Sequence, residues 1–327
     1  MTEPTRPLVS LGLPVYNGEN FLAAALESVS TQTLTDYQLI ICDNASTDAT
    51  EEICRPYAAS DNRIQYIRNP VNLGAGPNFN LTFKYATGRY FKWVSHDDTM
   101  MPEYLEKMVA ALEANPDAAL CHSLIRLIDA ADRTLDIHDS GLEGADSESA
   151  SVRFKTMILT PHQCLELDGV SRTGVLAKTS LVPSFAGGDR ALLCEIALLG
   201  PILQVKEPLF MTREHPGRFR RAANSPEERL AFYDTSRAGQ KSIPTLELYG
   251  AYRSMVGLHL TAIGQRFKCR AHLLRWWFMN WNTARVVVDI LALFAPKLLI
   301  RAEAIKQKVF TPEPGPDAGK SKHSSKN

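Results

Sequence analysis

The chain begins with short apolar runs that alternate with segments whose apolar residues recur every three or four positions. The runs are predicted to be strands and the segments between them helices. The predicted strands are residues 8–15, 37–44, 63–69, 90–95 and 119–129. The predicted helices are one that starts at Asn17-Gly18-Glu19 and carries Phe21, Leu22, Ala25, Leu26 and Val29 at helical spacing, then 48–57, 78–86 and 101–114, with Pro102 in the first turn of the last.

Strands and helices that alternate with short connections predict an α/β fold, a mixed, mostly parallel sheet with helices on both faces. Such sheets bind ligands at the carboxyl ends of their strands. Polar residues cluster at four of these ends, at 14–17, 43–44, 69–76 and 95–98. A ligand site is therefore predicted at this edge of the sheet.

The second half of the chain has a less regular pattern. Residues 130–151 are rich in Asp, Ser and Gly and are predicted to form a loop, and residues 152–215 are mixed. Residues 226–308 are predicted to be mainly helical. The end of the chain, 311–327, has the composition of a disordered tail.

Composition disfavours several classes of protein. The 327 residues carry 36 Lys and Arg against 36 Asp and Glu, a balance that disfavours nucleic-acid binding. The six cysteines are scattered without a C-x-x-C pair, so neither a zinc site nor a disulfide framework is predicted. The first residues lack the apolar run of a signal peptide, and the chain is expected to be cytoplasmic.

The stretch Ser95-His96-Asp97-Asp98 places two adjacent carboxylates at the end of a buried strand. Unpaired buried carboxylates are costly, and a divalent Mg²⁺ or Mn²⁺ ion that bridges a carboxylate to phosphate oxygens would neutralise one of them. The alternative is that an aspartate caps the following helix. We expect Asp98 to serve that helix in part.

Other polar positions have a functional and a structural interpretation. Tyr16, beside Pro14, could stack on a base, and Asp43 could accept from a nucleobase edge; both also suit ordinary turns. Asp189 follows two glycines at the start of an apolar helix and is either a residue of a cleft or a helix cap. The segment 210–221 contains Arg213, His215, Arg218, Arg220 and Arg221. It could close over a diphosphate, with His215 as a metal ligand, or be a solvated loop.

A phosphate loop of a common type is not indicated. Gly74-Ala75-Gly76 lacks the G-x-x-x-x-G-K-[ST] pattern, and no G-x-G-x-x-G follows the first strand.

Taken in order, these segments resemble the family 2 glycosyltransferases, which have the GT-A fold. The resemblance covers about residues 8–220 and rests on seven short segments. These are Pro14-Val15-Tyr16-Asn17, Asp43-Asn44-Ala45-Ser46-Thr47-Asp48, Asn72-Leu73-Gly74, Ala86-Thr87-Gly88-Arg89-Tyr90, Ser95-His96-Asp97-Asp98-Thr99-Met100-Met101-Pro102, Asp189 and Arg213-Glu214-His215.

The resemblance implies an inverting transferase that uses a nucleotide-sugar donor, often UDP-linked, and a divalent cation. It implies that Asp97 and His215 bind the metal and that Asp189 is the general base. The implied donor-binding residues are Pro14, Tyr16, Asn17, Asp43, Asn44, Asn72, Gly74, Ser95, His96, Asp97 and Arg213. It also implies a glycosyltransferase domain over 1–222, with a nucleotide-binding half near 8–115 and an acceptor half at 116–222, then a helical region at 223–310.

The chain departs from the family pattern at five positions. Ser95 replaces the first acid of D-x-D, and Asn44-Ala45 replace the usual Asp-Gly. Phe79 stands where arginine is common, and Gly188 replaces the acid before Asp189. These departures leave two alternatives open. One is a nucleotide-sugar-binding protein without catalysis, and the other a nucleotidyltransferase, for which the basic, glycine-rich signature near the first strand is missing.

Residues 273–310 are rich in Trp, Leu and Val with interspersed Arg and Lys. A helix of this kind fits the surface of a membrane, and equally a hairpin that covers the core or a dimer partner. Membrane contact would suit a glycan or lipid-linked acceptor in bacterial cell-envelope polysaccharide assembly, on the inner face of the cytoplasmic membrane.

Overall fold

The computed structural model describes residues 6–215, 226–279 and 281–294. The strands are β1 Val9–Val15, β2 Tyr37–Asp43, β3 Ile64–Arg68, β4 Tyr90–Trp93, β5 Thr99–Met100, β6 Leu120–Asp129, β7 Thr134–His138, β8 Val170–Arg172 and β9 Ile202–Glu214. The helices are α1 Leu22–Ser30, α2 Thr50–Ser60, α3 Ala75–Lys84, α4 Tyr104–Ala114, α5 Ala150–Leu159, α6 Thr173–Leu176, α7 Gly188–Leu199, α8 Pro226–Tyr233, α9 Pro244–His259, α10 Ile263–Phe278 and α11 Asn282–Phe294.

The strands of the described residues form one mixed sheet in the order β3-β2-β1-β4-β8-β6-β9-β5, with β7 paired to β6. β3, β2, β1 and β4 are mutually parallel, and β8 is antiparallel to both β4 and β6. Because β9 is parallel to β6, six of the nine strands run in one direction. The predicted fold class is confirmed.

Helices cover both faces of the sheet, and a separate apolar core lies on each face. One core contains residues of α1, α2 and α4, and the other contains residues of α5, α7, α9 and α10. Every residue of β1 is buried, whereas the edge strand β3 is half-exposed. This difference explains why β1 has a continuous apolar sequence, as expected for a central parallel strand.

Several predicted boundaries need correction. The segment 130–151 contains a strand, β7, because the Asp129 carboxylate accepts the Ala131 and Arg133 N–H groups and closes a hairpin after β6. The helix predicted over 78–86 begins at Ala75. The helix predicted from residue 101 begins at Tyr104, so Pro102 precedes it.

The predicted C-terminal helices are present as α8 to α11 up to Phe294. α9 and α10 bury Tyr252, Cys269 and Trp276 in the same core as α7. The predicted division at residue 222, the segment 295–310 and the predicted tail lie outside the described residues. Within the part of the chain that the structure describes, no helix is long and apolar enough to cross a bilayer.

Candidate functional site at the carboxyl edge of the sheet

The predicted site residues lie at one edge of the sheet. Since β1, β2, β4 and β9 run in the same direction, their carboxyl ends meet at that edge. The loops after β1, β2 and β4 and the end of β9 bring together most of the predicted donor and metal residues. Asp189 belongs to a different element, the first turn of α7, and its proximity to this edge stays a prediction.

The loops after β1 and β2 are locked together by hydrogen bonds. The Asn17 N–H donates to Ser46 Oγ at 2.9 Å, and Asn17 Oδ1 accepts from the Thr47 N–H at 2.9 Å. Asn17 has φ 52°, a left-handed conformation that asparagine tolerates. Pro14 is buried, whereas Tyr16 is 45% exposed. The loop therefore presents the Tyr16 ring from a fixed backbone.

The Asp43 carboxylate is fully buried at the end of β2. It accepts from Tyr66 Oη at 2.6 Å and from the Ser46 N–H at 2.9 Å, and Arg68 Nη1 lies 3.6 Å away. Burial and the bond to Asp43 raise the pKa of Tyr66 well above its usual range, so the phenol stays a donor. Direct contact between Asp43 and a nucleobase stays a prediction; its observed contacts fix the loop.

Asn44 holds the loop that contains Asn72 and Gly74. Its Oδ1 accepts from the Leu73 N–H at 2.9 Å, and its Nδ2 donates to Asn72 Oδ1 at 2.9 Å and to the Gly74 carbonyl at 3.2 Å. A carboxylate could not donate these last two bonds. The replacement of the usual aspartate by Asn44 thus has a physical reason in this chain.

Asp98 is 4% exposed and is not the N-cap of the following helix, a position that Glu103 occupies. Its carboxylate accepts from the Arg213 N–H at 2.9 Å and from Thr212 Oγ1 at 3.3 Å, both on β9. α4 begins only at Tyr104. The expectation that Asp98 serves as a helix cap is therefore wrong, because the carboxylate joins the β4–β5 connection to β9.

Asp97 and His215 lie together although they are 118 positions apart in the sequence. His215 Nε2 lies 3.1 Å from Asp97 Oδ2, and the two side chains are 12% and 14% exposed respectively. The His215 ring packs on Phe21 with the ring centroids 4.8 Å apart. The neighbouring His96 ring packs against Gly18, where an added Cβ would lie 2.9 Å from His96 Cδ2. Ser95 and His96 are half-buried.

This pair fits two positions of a cation site. Adjacent ligands of an octahedral Mg²⁺ with bonds of about 2.1 Å lie about 3.0 Å apart, close to the observed 3.1 Å. Among the described residues, no group of three or more His, Cys, Asp or Glu could hold a metal ion. A bound cation would take its other ligands from substrate phosphates and water, which is usual for Mg²⁺.

Arg213 lies beneath the Asp97–His215 pair and is only 1% exposed. Its Nε donates to the Asp97 carbonyl at 3.0 Å, its Nη1 lies 2.8 Å from Asp132 Oδ1, and its guanidinium stacks over Phe21 at 4.7 Å. These contacts hold the backbone of Asp97 in place. Direct contact with a donor stays a prediction for Arg213.

Asp189 lies in the first turn of α7 and is partly buried. An added Cβ at Gly188 would lie 2.4 Å from the Pro183 carbonyl oxygen. This packing explains why Gly188 stands where the family has an acid. The loop before α7 is tied to α3, because Asn80 Nδ2 donates to the Val182 carbonyl and Asn80 Oδ1 accepts from the Val182 N–H.

A segment not predicted as part of the site crosses the Asn72–Gly74 loop. Thr235 Oγ1 donates to the Asn72 carbonyl at 2.8 Å, and the Asp234 backbone rests on Gly74. Arg237 Nη1 donates to the Ser184 carbonyl at 2.6 Å, in the loop before α7. Residues 233–237, hereafter the strap, thus connect the Asn72–Gly74 loop to the loop before α7.

Sequence patterns could have identified only part of this arrangement. Tyr66 and Arg68 occupy alternate positions of β3 beside the end of β2, which is a usable signal. The strap has no such sequence signal, because its contact from Thr235 to Asn72 joins residues that are 163 positions apart. Arg218, Arg220 and Arg221, predicted to close over a diphosphate, lie outside the described residues.

Comparison with known proteins indicates a family for the first half of the chain. Residues 10–164 match the family model described as Glycosyl transferase family 2. An uncharacterized glycosyltransferase of Methanocaldococcus jannaschii, MJ1057, is 36% identical over 129 residues, which are 39% of this chain and 44% of the relative. The putative glycosyltransferase EpsE of Bacillus subtilis is 41% identical over 108 residues, 33% of this chain and 39% of the relative. The chain thus spans less than half the length of these relatives.

Solved structures share the fold at low sequence identity. TarS 1–349 of S. aureus in complex with UDP-GlcNAc has a TM-score of 0.58 and 18% identity, over 83% of this chain and 72% of that one. The mannosyltransferase PcManGT of Pyrobaculum calidifontis, in complex with GDP-Man and Mn²⁺, has a TM-score of 0.51 and 15% identity, over 94% of this chain and 88% of that one. These similarities confirm the GT-A-type fold.

Proposed function

We propose that this chain, of which residues 10–164 match the family model described as Glycosyl transferase family 2, transfers a sugar from a nucleotide-diphosphate donor to a hydroxyl acceptor. The observation that carries the proposal is the Asp97–His215 pair, 3.1 Å apart at the carboxyl edge of the sheet. The loop that exposes Tyr16 lies at the same edge. The Tyr16 ring would bind the base of a nucleotide, and the Asp97–His215 pair would bind its diphosphate through a cation.

The donor is proposed to be a UDP-sugar. Tyr16 would stack on the base, beside loops that are fixed by Asn17, Asp43 and Asn44. Ser95, His96, Asn72 and Gly74 would also contact the donor. A UDP-GlcNAc complex of TarS supports this choice, whereas the PcManGT complex holds GDP-Man.

Asp97 and His215 would hold a Mg²⁺ or Mn²⁺ ion, which supplies positive charge to the diphosphate as it leaves. The Mn²⁺ in the PcManGT complex supports a divalent cation. Phe21 packs on His215, and Arg213 binds the Asp97 carbonyl. These two neighbours would keep the ligand atoms in position, so that little reorganisation accompanies donor binding.

Asp189 is proposed to be the general base. It would accept the proton of the acceptor hydroxyl while the hydroxyl oxygen forms a bond to the anomeric carbon of the donor. The bond from that carbon to the diphosphate oxygen breaks, and its electron pair leaves with the diphosphate. A single displacement of this kind inverts the anomeric centre. The acceptor is proposed to be a glycan or lipid-linked saccharide of the cell envelope.

The test is release of UDP from a panel of UDP-sugars by wild type, Asp189→Asn and the control Asp136→Asn, whose side chain is exposed on β7. We expect Asp189→Asn to bind UDP normally and to lose about 10²–10⁴-fold in turnover, with Asp136→Asn unchanged. Equal turnover in both variants would exclude Asp189 as the base. Tight donor binding without turnover of any sugar by wild type would favour the catalytically silent alternative.

A further inference from the structure

α10 has two apolar faces, of which only one is covered. Cys269, Leu273 and Trp276 are buried in the core beneath α5, α7 and α9. On the outer side lie four large apolar residues of α10 and one just after it. They are Ile263 at 84% exposed, Phe267 at 73%, Leu274 at 65%, Phe278 at 87% and Trp281 at 83%. These five residues are hereafter the outer stripe.

Helix geometry places the outer stripe opposite the buried face. At about 100° per residue, the four members within α10 fall inside an arc of about 60°. The buried residues fall on the opposite side of the helix. α11 also exposes Val287, Val288 and Leu291. The exposed apolar positions of α10 therefore form one face rather than scattered single residues.

Basic side chains border the stripe on both sides. Arg270 lies on one side, and Lys268 and Arg275 lie on the other; all three are exposed. Residues 263–294 contain five Lys and Arg against one acid, Asp289, although the whole chain has no net charge. Asp289 accepts from the Thr245 N–H at 3.0 Å and so serves the contact with α9.

We propose that the outer stripe of α10 docks on an anionic lipid bilayer surface, with the helix lying in the plane of the interface. Aromatic and aliphatic side chains would enter the headgroup boundary, while the flanking Lys and Arg bind lipid phosphates. The footprint begins at Ile263, ten residues before the segment predicted from sequence. This proposal is independent of the donor site.

A second copy of the chain is a poorer occupant for this face. A symmetric dimer brings the same patch of each subunit together, so the cations Lys268, Arg270 and Arg275 of one copy would face the same set of cations on the other. Like charges that face each other across an interface are unfavourable. A bilayer that contains anionic lipid supplies the opposite charge along the whole stripe.

The test is co-sedimentation with phosphatidylcholine vesicles that contain or lack phosphatidylglycerol. Three variants of the full chain are compared with wild type: Phe267→Ser/Phe278→Ser, Lys268→Glu/Arg270→Glu/Arg275→Glu, and the control Leu135→Ser/Ile137→Ser. The control removes two apolar side chains on β7 that are 57% and 51% exposed. All of these side chains are largely outside the core, so the fold should tolerate the changes.

Wild type is expected to bind the anionic vesicles more tightly than the neutral ones, with a loss of binding as salt rises. Phe267→Ser/Phe278→Ser should weaken binding about tenfold or more, and the glutamate variant should lose the preference for anionic lipid. The control should match wild type. Absence of wild-type binding, or equal binding by the double serine variant, would overturn the proposal. The proposal would also be overturned if wild type were a dimer in the absence of vesicles and Phe267→Ser/Phe278→Ser dissociated that dimer. UDP binding, measured in parallel, reports on the donor site separately.

Discussion

Gly74→Ala tests whether the strap and the Asn72–Gly74 loop form one packed unit. Gly74 has φ 89° and ψ 168°, a region that is nearly restricted to glycine. An added Cβ would lie 2.6 Å from Asp234 Cα and 2.9 Å from the Thr235 nitrogen. These are backbone atoms, so the clash is relieved only if the strap or the loop moves.

The magnitude follows from two opposing terms. Forcing alanine into this region costs about 1–3 kcal/mol, and the stiffer unfolded chain returns about 0.4–1 kcal/mol. The net loss in the free energy of unfolding is then about 1–2 kcal/mol before the clash with Asp234 is counted. Movement of the loop would also disturb the bonds from Asn44 to Asn72 and Gly74, so the affinity for UDP should fall.

The assay is urea unfolding of Gly74→Ala beside the control Gly250→Ala, with calorimetric titration of UDP on both. Gly250 lies within α9, where an added Cβ meets nothing within 4 Å. The control should gain up to about 1 kcal/mol from helix propensity and bind UDP normally. A Gly74→Ala protein as stable as this control, with unchanged affinity for UDP, would refute the reasoning.

Three further changes have defined outcomes. Burial lowers the pKa of Lys92 to about 8, although the carboxylates of Asp168 and Asp98 oppose the shift. Above pH 8 the unfolded chain therefore binds more protons than the folded chain, and the free energy of unfolding should rise up to about pH 10, by up to about 1.4 kcal/mol per pH unit. Lys92→Met should remove this rise in urea titrations at pH 7 and 9.5, and a rise that persists would contradict the burial. Asp98→Asn should lower the free energy of unfolding by about 1–3 kcal/mol, since an amide oxygen replaces a carboxylate that accepts the Arg213 N–H and a second donor; an unchanged melting temperature would argue against this role. Asp189→Asn should leave the melting temperature of the protein nearly unchanged, because Asn and Asp have similar helix propensities. A large fall in the melting temperature would indicate a structural role instead.

The parallel half of the sheet could be predicted because each of its elements has a clear local period. β1 is apolar throughout, and α1 repeats apolar residues at helical spacing. β7 was missed since it is short and largely exposed. Its pairing depends on the turn that Asp129 stabilises, rather than on an apolar run.

The candidate site was predictable as a set of strand ends but not as a set of contacts. Asp97 and His215 were expected to share a cation, and they do lie within 3.1 Å. The burial of Arg213 and the partners of Asp98 depend on contacts between residues more than a hundred positions apart. No local pattern encodes such contacts, and the same holds for the strap.

The most direct measurement of the central claim is calorimetric titration of UDP, with and without Mn²⁺, on wild type and Asp97→Ala. Asp97 is partly accessible and pairs with His215, so its removal should abolish the Mn²⁺-dependent part of binding. The account predicts that wild type binds UDP more tightly with Mn²⁺ and that Asp97→Ala shows no such gain. Binding that is indifferent to both Mn²⁺ and the substitution would contradict a cation-assisted donor site at the Asp97–His215 pair.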